Sequence, residues 1–488
     1  MTAPESRILV IQLARFGDFL QTTPLLTALK ARRPGARLFL LVNSPQAALA
    51  RANPDVDEVL VADLGVWNHI ARNGGPYPEK IAALGRLARD LQPRDFDLVV
   101  NLNTSRLAAL LAGLFRADRR AGPALGPDRA GLVPAPWADL IMNLMTRRRL
   151  IRFNLVDLLA SYAEGGERTA AGLTYPVSAQ ARAQARAILP LPGPGPLVGF
   201  QLGSRHVSRQ WPPDYFARLV LDLMEQYQAQ PVFLGLESER PLGAEVKARL
   251  RDLRADAPDR VTDLMGRTSL ETLGGVAAGL DLLVAGDTGT MHLAAAVKTK
   301  ILALFIGPAW CHETGPYGEG QVVLQTNMGC SPCTEGQANC GDHPCRKLIG
   351  PDAVLEAAAG LLNNRPPRLG PWRRPELRFF LSRLDRFGVV FRPLLPEPLE
   401  REEVLALALR EAGRGYIRPD YEFRPDLFRR ELLACYLPGP SAGREAPVDL
   451  ETAPLPRILA GLARRGEQDQ ARRFVRTLDQ AAALAPPA

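Results

Sequence analysis

Short apolar runs alternate with amphipathic stretches in the first part of the chain. Runs of mainly Val and Leu that are bounded by turn residues are typical of strands buried on both faces of a parallel sheet. Four such runs are RILVIQL, ARLFLLV, EVLVAD and DLVVNL, and the stretches between them include PLLTALKARR and AALGRLARDLQ. This alternation of strands and helices predicts an α/β fold with a doubly wound sheet.

The alternation begins again after a Pro-Gly cluster at residues 191–196, which is the best linker candidate in the chain. The second series of strands is PLVGFQL, QPVFLGL, LDLLVAG and ILALFIG, with helices such as PDYFARLVLDLMEQY between them. From about Asn363 the chain becomes rich in Pro and Arg, with two helical patches, REEVLALALREA and PRILAGLARRGEQDQARRFVRTLDQAA. We expect an N-terminal domain over residues 1–190, a second domain over 196–362 and a mostly helical extension over 363–488.

Composition and charge narrow the class of protein only slightly. With 46% apolar and 23% charged residues, the 488-residue chain is typical of a soluble globular protein. Its net charge of +8 is spread along the chain, which is weak evidence for nucleic-acid binding and compatible with contact at an anionic membrane face. No apolar run reaches the roughly 18 residues of a membrane span, and the first residues lack the features of a signal peptide. We therefore expect a cytoplasmic protein without a nucleic-acid partner.

Two loops place a carboxylate where a helix begins. Gly17-Asp18 follows the first strand, and this loop is neither a dinucleotide fingerprint nor a Walker A loop. One interpretation of Asp18 is an N-terminal helix residue stabilised by the macrodipole. The other is a general base, because open α/β sheets bind ligands beyond the carboxyl ends of their strands.

The second of these loops, Gly286-Asp287-Thr288-Gly289, carries more chemistry. A hydroxyl, a glycine that permits close approach and the N–H groups of a helix N-terminus suit a diphosphate. His292 follows about one helical turn later. It is either a structural residue or part of the same site.

A third loop, which follows the PLVGFQL strand, is basic. It carries Arg205, His206 and Arg209, which could neutralise a leaving diphosphate without a metal, or could form an ordinary solvated loop. Glu237 ends the next strand. Its carboxylate could accept hydrogen bonds from ribose hydroxyls, and a generic loop acid is the alternative.

Four cysteines lie within 16 residues, in the order Cys330, Cys333, Cys340 and Cys345. Cysteines in the cytoplasm are usually reduced, so the cluster calls for an explanation other than disulfides. One interpretation is a structural zinc site, although usual zinc spacings have a longer insert between the two pairs. The alternative is a cluster of packed or redox-labile thiols.

Taken together, these motifs resemble glycosyltransferase family 9, the heptosyltransferases of lipopolysaccharide core assembly. Their order and spacing carry the resemblance, which covers roughly residues 7–360. The matching stretches are ILVIQLARFGDFLQTTPLLTALKARRPGARL, RANPDVDEVL, the loop 204–211, FLGLESE, MGRTSLETL, GDTGTMHLAAAV and the CSPC…C…CRK region.

The resemblance implies a GT-B architecture, in which two Rossmann-like domains face each other across a cleft. It implies an inverting, metal-independent displacement that requires no cofactor. The expected donor is a nucleotide-sugar, with ADP-heptose as first choice, bound mainly by the second domain. The expected acceptor is a lipid-linked or lipopolysaccharide-type glycan, which would bring the protein to the inner membrane as a peripheral contact.

The resemblance also implies roles for individual residues. Asp18 matches the family's catalytic base, with Gly17 and Asn103 in loops on the acceptor side. The donor-binding positions are Ser204, Arg205, Arg209, Glu237, Thr268, Asp287, Thr288, Gly289 and His292.

Three features depart from the family. The family often has Lys where Arg209 stands, and many relatives have Asp-Leu-Gln and a glycine where this chain has Asn101-Leu102-Asn103-Thr104. The residues beyond 363 have no counterpart in the short members. Two alternatives to a glycosyltransferase are another GT-B sugar-nucleotide enzyme, such as an epimerase, and a catalytically silent sugar-binding or scaffolding relative.

Overall fold

The computed structural model divides the chain into two compact units. Unit 1 contains the described residues of Met1–Thr146 and Val156–Thr174, and unit 2 those of Arg147–Leu155, Tyr175–Ala453 and Asp469–Ala488. The residues that the structure describes are 6–65, 77–90, 94–125, 132–133, 145–163, 172–334, 340–385, 388–398, 401–417, 436–437, 476–477 and 480.

Unit 1 is built on a five-stranded parallel sheet in the order β3-β2-β1-β4-β5. Its strands are β1 (Arg7–Gln12), β2 (Arg37–Asn43), β3 (Glu58–Ala62), β4 (Asp95–Asn101) and β5 (Arg116–Ala121), and a short antiparallel pair follows, β6 (Ala124–Leu125) and β7 (Leu132–Val133). Its helices are α1 (Phe16–Arg32), α2 (Ala47–Ala52), α3 (Tyr77–Asp90), α4 (Arg106–Leu114) and α5 (Leu155–Ala160), the last beginning at the unit boundary.

Unit 2 is built on an eight-stranded sheet in the order β10-β9-β8-β11-β12-β13-β14-β15. The strands are β8 (Leu197–Gln201), β9 (Gln230–Leu234), β10 (Thr262–Asp263), β11 (Leu282–Ala285), β12 (Ile301–Phe305), β13 (Val322–Thr326), β14 (Leu377–Asp385) and β15 (Gly388–Pro393), with a separate parallel pair, β16 (Glu397–Pro398) and β17 (Tyr436–Leu437). The helices are α6 (Ala179–Ile188), α7 (Pro213–Tyr227), α8 (Arg240–Leu253), α9 (Leu270–Gly279), α10 (Gly289–Ala296), α11 (Cys311–Thr314), α12 (Pro351–Leu362) and α13 (Arg401–Ile417).

Each sheet buries apolar strands under its helices. In unit 1, Phe96 of β4 meets Phe39 and Phe115 edge to face, with ring centroids 5.2 and 5.6 Å apart. In unit 2, Phe200 and Phe233 meet in the same way at 6.2 Å. Such pairs add to the free energy gained by removing the rings from water.

All eight strands that the apolar runs predict are present, as are the helices over α1, α3, α7 and the first patch of the extension. The remaining strands were not predicted, among them β5, β13 and the hairpin β14–β15. The strand β5 has the polar sequence RADRRA and pairs parallel with β4 at the sheet edge, and its Arg120 side chain donates to the Ala112 carbonyl oxygen at 2.7 Å.

The extension begins differently from the helical expectation. The hairpin β14–β15 pairs antiparallel to β13 and so covers what would be an open edge of the sheet of unit 2. The helix α6 lies in unit 2, and so do the described residues of the extension up to α13. The second helical patch lies almost entirely outside the described residues. None of the described helices has the length and apolar content to cross a membrane.

Candidate functional site

The strand order locates one candidate ligand site in each unit. Both sheets run outward from a central strand in opposite directions, and the order reverses between β1 and β4 and between β8 and β11. Ligands of open α/β sheets bind beyond the carboxyl ends of the strands at such a reversal. The loops that contain Asp18 and Asn103 follow β1 and β4, and the loops that contain Arg209 and Asp287 follow β8 and β11.

In unit 2 the structure brings the basic loop and the Gly-Asp-Thr-Gly loop together. Arg209 Nη1 lies 3.4 Å from Asp287 Oδ2 and 3.5 Å from the Asp287 carbonyl oxygen. The hydroxyl of Thr314, in α11, donates to the same carboxylate at 3.1 Å. Both partners of the ion pair are largely buried, with exposed side-chain fractions of 18% and 11%. Asp287 is therefore held from two sides.

Thr288 is the N-cap residue of α10, and its Oγ1 is buried with no hydrogen-bond partner among the described residues. Thr290 Oγ1 donates to Gln201 Oε1 at 2.8 Å, which ties the first turn of α10 to the end of β8. His292 is 4% exposed, one turn further along. The helix thus begins at a fixed position beside Asp287.

The rest of the basic loop is ordered by its own polar groups. Gln210 Nε2 donates to the Ser204 carbonyl oxygen at 3.0 Å, and Ser204 Oγ donates to the His206 carbonyl oxygen at 3.3 Å. Trp211 anchors the loop's end, since its indole N–H donates to the Ile349 carbonyl oxygen at 2.8 Å. Arg205 is exposed. The loop therefore presents one cation to solvent and holds Arg209 inward.

Two acids follow β9, and sequence reasoning named only one of them. Glu237 is 69% exposed at its side chain and pairs with Arg240 at 3.0 Å. Glu239 accepts a hydrogen bond from the Leu236 N–H at 2.8 Å and lies against Gly203, where a Cβ atom would come within 2.1 Å of its carboxyl group. Thr268 is half-buried. Glu239 thus joins Glu237 as a candidate acid near the carboxyl ends of β8 and β9.

A second ion pair supports the same loops. Arg148 binds Glu313 in a bidentate manner, with Nε–Oε1 and Nη2–Oε2 distances of 2.9 and 2.5 Å. Burial raises the pKa of Glu313 and opposes the effect of Arg148. Glu313 adjoins Thr314, so this pair fixes the turn that holds Asp287. No local pattern predicts it, because 165 residues separate the partners.

In unit 1, Asp18 makes the contact expected of an acid in the first turn of a helix. Its Oδ2 accepts a hydrogen bond from the Arg15 N–H at 3.0 Å, and its carbonyl oxygen accepts one from Thr22 Oγ1 at 2.9 Å. Gly17, beside it, is partly exposed. The contact with Arg15 orients the carboxylate at the carboxyl end of β1, and it is compatible with either interpretation of Asp18.

Asn103 connects the two loops at this end of the first sheet. Its Oδ1 accepts from the Leu13 N–H at 3.0 Å, and its Nδ2 donates to the Ile11 carbonyl oxygen at 2.9 Å. The side chain also reaches Asn101 Oδ1 at 3.2 Å, and the residue is only 9% exposed. Asn103 therefore holds the end of β1 in place.

We expect the variant Asn103→Ala to lose about 1–3 kcal/mol of unfolding free energy, because it leaves buried backbone groups unpaired. Since the loop of Asp18 begins at these groups, turnover by a site that uses Asp18 should fall as well. Urea unfolding and an activity assay measure the two effects. Asn53→Ala is the matched control: Asn53 is buried and accepts from the Asp55 N–H, so stability should fall without loss of turnover. Equal loss of turnover in both variants would contradict the role of Asn103.

The predicted zinc site is not formed among the described residues. In that part of the chain, which lacks 335–339, no group of three or more His, Cys, Asp or Glu side chains is placed to hold a metal ion. Cys330 and Cys340 are exposed, Cys345 is buried, and the described cysteines are free. Burial and the neighbouring thiols raise the pKa of Cys345 to about 11.

Comparison with known proteins decides the family. Residues 84–342, more than half of the chain, match glycosyltransferase family 9 (heptosyltransferase). The chain belongs to this family. It is therefore a glycosyltransferase, as the motifs predicted.

Individual relatives agree. Lipopolysaccharide heptosyltransferase 2 of Salmonella typhimurium is 26% identical over 73% of this chain and 99% of that protein. Lipooligosaccharide heptosyltransferase 2 of Campylobacter jejuni is 29% identical over 34% of this chain and 51% of that protein.

A solved structure shows the same fold. The E. coli ADP-heptose lps heptosyltransferase II superposes with a TM-score of 0.54 at 23% identity, over 73% of this chain and 99% of that one. The parallel sheet of unit 1 and the mostly parallel sheet of unit 2, each with flanking helices, confirm the predicted fold class of two Rossmann-like domains.

Proposed function

We propose that the protein transfers a heptose from ADP-heptose to a lipopolysaccharide-core or related cell-envelope glycan, with inversion at the anomeric carbon and without a catalytic metal. The observation that carries the proposal is the convergence of Arg209, Asp287 and Thr288 at the N-terminus of α10, where the strand order of unit 2 reverses. A guanidinium group, a buried hydroxyl and a helix N-terminus together suit a diphosphate.

These groups would also stabilise the leaving nucleoside diphosphate. As the bond between the sugar and the nucleoside diphosphate breaks, negative charge grows on the leaving phosphate. Fixed N–H dipoles and the Arg209 cation would stabilise that charge without moving, and stabilisation of this kind usually contributes most to the rate of such reactions. Asp287 would keep Arg209 in place.

The nucleotide and the sugar are inferred from relatives. The solved E. coli protein is named an ADP-heptose heptosyltransferase, and the Salmonella and Campylobacter relatives are named for lipopolysaccharide and lipooligosaccharide. Glu237, Glu239 and Thr268 are candidates for the nucleoside. An acceptor of this kind is assembled on a membrane, so we expect a peripheral contact there.

In unit 1 we propose Asp18 as the general base that removes the proton of the acceptor hydroxyl. An inverting displacement needs a base to accept that proton as the new glycosidic bond forms, and a carboxylate can serve as that base. The contact with the Arg15 N–H fixes the carboxylate's orientation. Gly17 and Asn103 belong to the acceptor-side loops in this proposal.

Binding of a panel of nucleotide-sugars tests the proposed donor. Purified protein should bind ADP-heptose and ADP in calorimetry, and bind UDP- and GDP-sugars at least about tenfold more weakly, since a polar base-recognition site rejects the wrong base. Strong binding of UDP-sugars with no response to ADP would overturn the heptosyl proposal.

The variant Arg209→Gln should weaken ADP binding by about 10- to 100-fold, because a hydrogen bond to a charged group contributes about 1.5–3 kcal/mol. Arg209→Lys should recover part of the loss, since it keeps the charge and changes only the geometry. Arg218→Gln is the control: this arginine pairs with Asp222 on α7. An Arg209→Gln variant with wild-type affinity would remove Arg209 from the donor site.

A further inference from the structure

The segment that enters unit 2 between two stretches of unit 1 carries two bidentate ion pairs. Arg152 binds Glu403 of α13, with Nε–Oε1 and Nη2–Oε2 distances of 3.1 and 2.5 Å. Four residues earlier, Arg148 binds Glu313 beside the candidate donor loop. The first pair is 4% and 6% exposed and the second 17% and 13%. One short segment is thus fixed at both ends.

At the end of this segment that meets the extension, two further arginines support the pair of Arg152 and Glu403. Arg378 of β14 lies 3.4 Å from its carboxylate, and Arg410 Nε donates to the Arg152 carbonyl oxygen at 3.0 Å. Burial alone would raise the pKa of Glu403, but Arg152 and Arg378 outweigh burial and bring the pKa down to about 2. The carboxylate is therefore ionised and fixed at neutral pH.

At the other end, Arg148 holds the chain on both sides of α11. Its guanidinium group donates to the Pro308 carbonyl oxygen at 2.9 Å and to the Cys333 carbonyl oxygen at 3.0 Å, besides Glu313. Within the same turn Thr314 donates to Asp287. Five side chains, those of Glu403, Arg152, Arg148, Glu313 and Thr314, thus link α13 to the Gly-Asp-Thr-Gly loop.

The hairpin of the extension supports α11 directly as well. The ring of His312 packs edge to face on Phe380 and Phe391, with centroid distances of 5.2 and 6.0 Å. A Cβ atom at Gly315 would lie 2.4 Å from Phe391. The hairpin β14–β15 and the helix α13 of the extension therefore both support the turn that contacts Asp287.

A purely stabilising role is a poor explanation for these charges. Desolvation offsets much of the attraction between buried ions, and apolar residues of the same volume are often as stable. What a buried bidentate pair supplies is a fixed geometry.

We propose that α13 is a positioning element of the donor site, acting from Glu403 through Arg152 and Arg148 on the turn that holds Asp287. This role rests on the proposed function, in which Asp287 and Thr288 meet the donor diphosphate. The extension is then a working part of the enzyme.

Hydrogen exchange of the ligand-free full-length protein tests the link without any substrate. In Glu403→Gln the amides of residues 287–296 and 311–315 should exchange about tenfold faster than in the wild type, a typical size for coupling between two sites. Glu403→Asp keeps the charge and should restore most of the protection. It also serves as the variant to measure if Glu403→Gln does not fold.

Glu356→Gln is the matched control. Glu356 forms a bidentate pair with Arg365 at 2.7 and 3.4 Å, and no contact of that pair leads toward Asp287 among the residues that the structure describes. The control should leave exchange at residues 287–296 unchanged. An equal rise in both variants, or none in Glu403→Gln, would overturn the positioning role.

ADP binding separates this proposal from the proposed function. Glu403→Gln should weaken ADP binding by about tenfold at unchanged stoichiometry. Wild-type protein that binds no ADP would overturn the proposed function. If the wild type binds ADP, and Glu403→Gln binds it with the same affinity and exchanges its loop amides at the same rate, only the positioning role is overturned.

Discussion

Replacing Asp18 by asparagine is expected to reduce sugar transfer by about 10²–10⁴-fold, the usual contribution of a general base. Asparagine keeps an oxygen that can accept the hydrogen bond from the Arg15 N–H, so the start of α1 should be preserved. What it loses is the ability to take a proton from the acceptor hydroxyl. Steady-state transfer rates for the wild type and the variant measure the effect.

The control for Asp18→Asn is donor binding. Asp18 lies in unit 1 and the candidate diphosphate groups lie in unit 2, so affinity for ADP should change by less than a few-fold. Transfer that survives within a few-fold of the wild type would show that Asp18 is only a helix N-terminal residue. Loss of ADP binding in step with transfer would also contradict its assignment as the base.

The second large effect is expected on stability. Arg152→Met should lower the free energy of unfolding at pH 7 by about 3 kcal/mol, because it leaves the buried carboxylate of Glu403 without its bidentate partner. Arg378 remains beside Glu403, which places the expected loss at the lower end of the range for broken buried pairs. Urea unfolding measures the difference.

The double variant Arg152→Met, Glu403→Leu should recover much of that loss, since apolar replacements of a whole buried pair are often neutral. A single variant that loses less than about 0.5 kcal/mol, as mutations at ordinary surface positions do, would contradict this role of the pair.

Lowering the pH should weaken the same ion pair and so lower the free energy of unfolding. The pKa of Glu403 lies near 2 in the folded protein, below its ordinary value of 4.5, because Arg152 and Arg378 outweigh burial. A depressed carboxylate pKa adds stability that is present above pH 4.5 and is lost as the pH falls toward 2, by about 3 kcal/mol in total. Unfolding measured from pH 5 to pH 2 should show this decline in the wild type and a smaller one in Glu403→Gln.

The fold could be predicted from the sequence only where the burial of a strand or helix produces a recognisable pattern of apolar residues. Strands such as β1 and β11 are covered on both faces and so are almost wholly apolar, which makes them easy to recognise. The strand β5 lies at the sheet edge and is mostly exposed, so its sequence RADRRA lacks the apolar run of a buried strand. The hairpin β14–β15 lies in a region rich in Pro and Arg, and that composition obscured its apolar residues.

The candidate site could also be predicted only in part from local sequence. Arg209 and Asp287 lie in loops with recognisable composition, and their meeting follows from the strand order. Arg148 belongs to a run of arginines that favours a solvated basic stretch, yet it is partly buried against Glu313. Only the chain's path through unit 2 brings those two residues together, so no local pattern could predict the pair.

The most direct test of the proposed function is the stereochemistry of the transfer and its dependence on metal and acceptor. Purified protein would be incubated with ADP-heptose of defined anomeric configuration and a truncated lipopolysaccharide-core acceptor, and the product examined by NMR. We expect one ADP released for each new glycosidic bond, an inverted anomeric centre, and a rate that chelators do not change. Retained configuration, or consumption of the nucleotide-sugar without an acceptor, would contradict the proposed function.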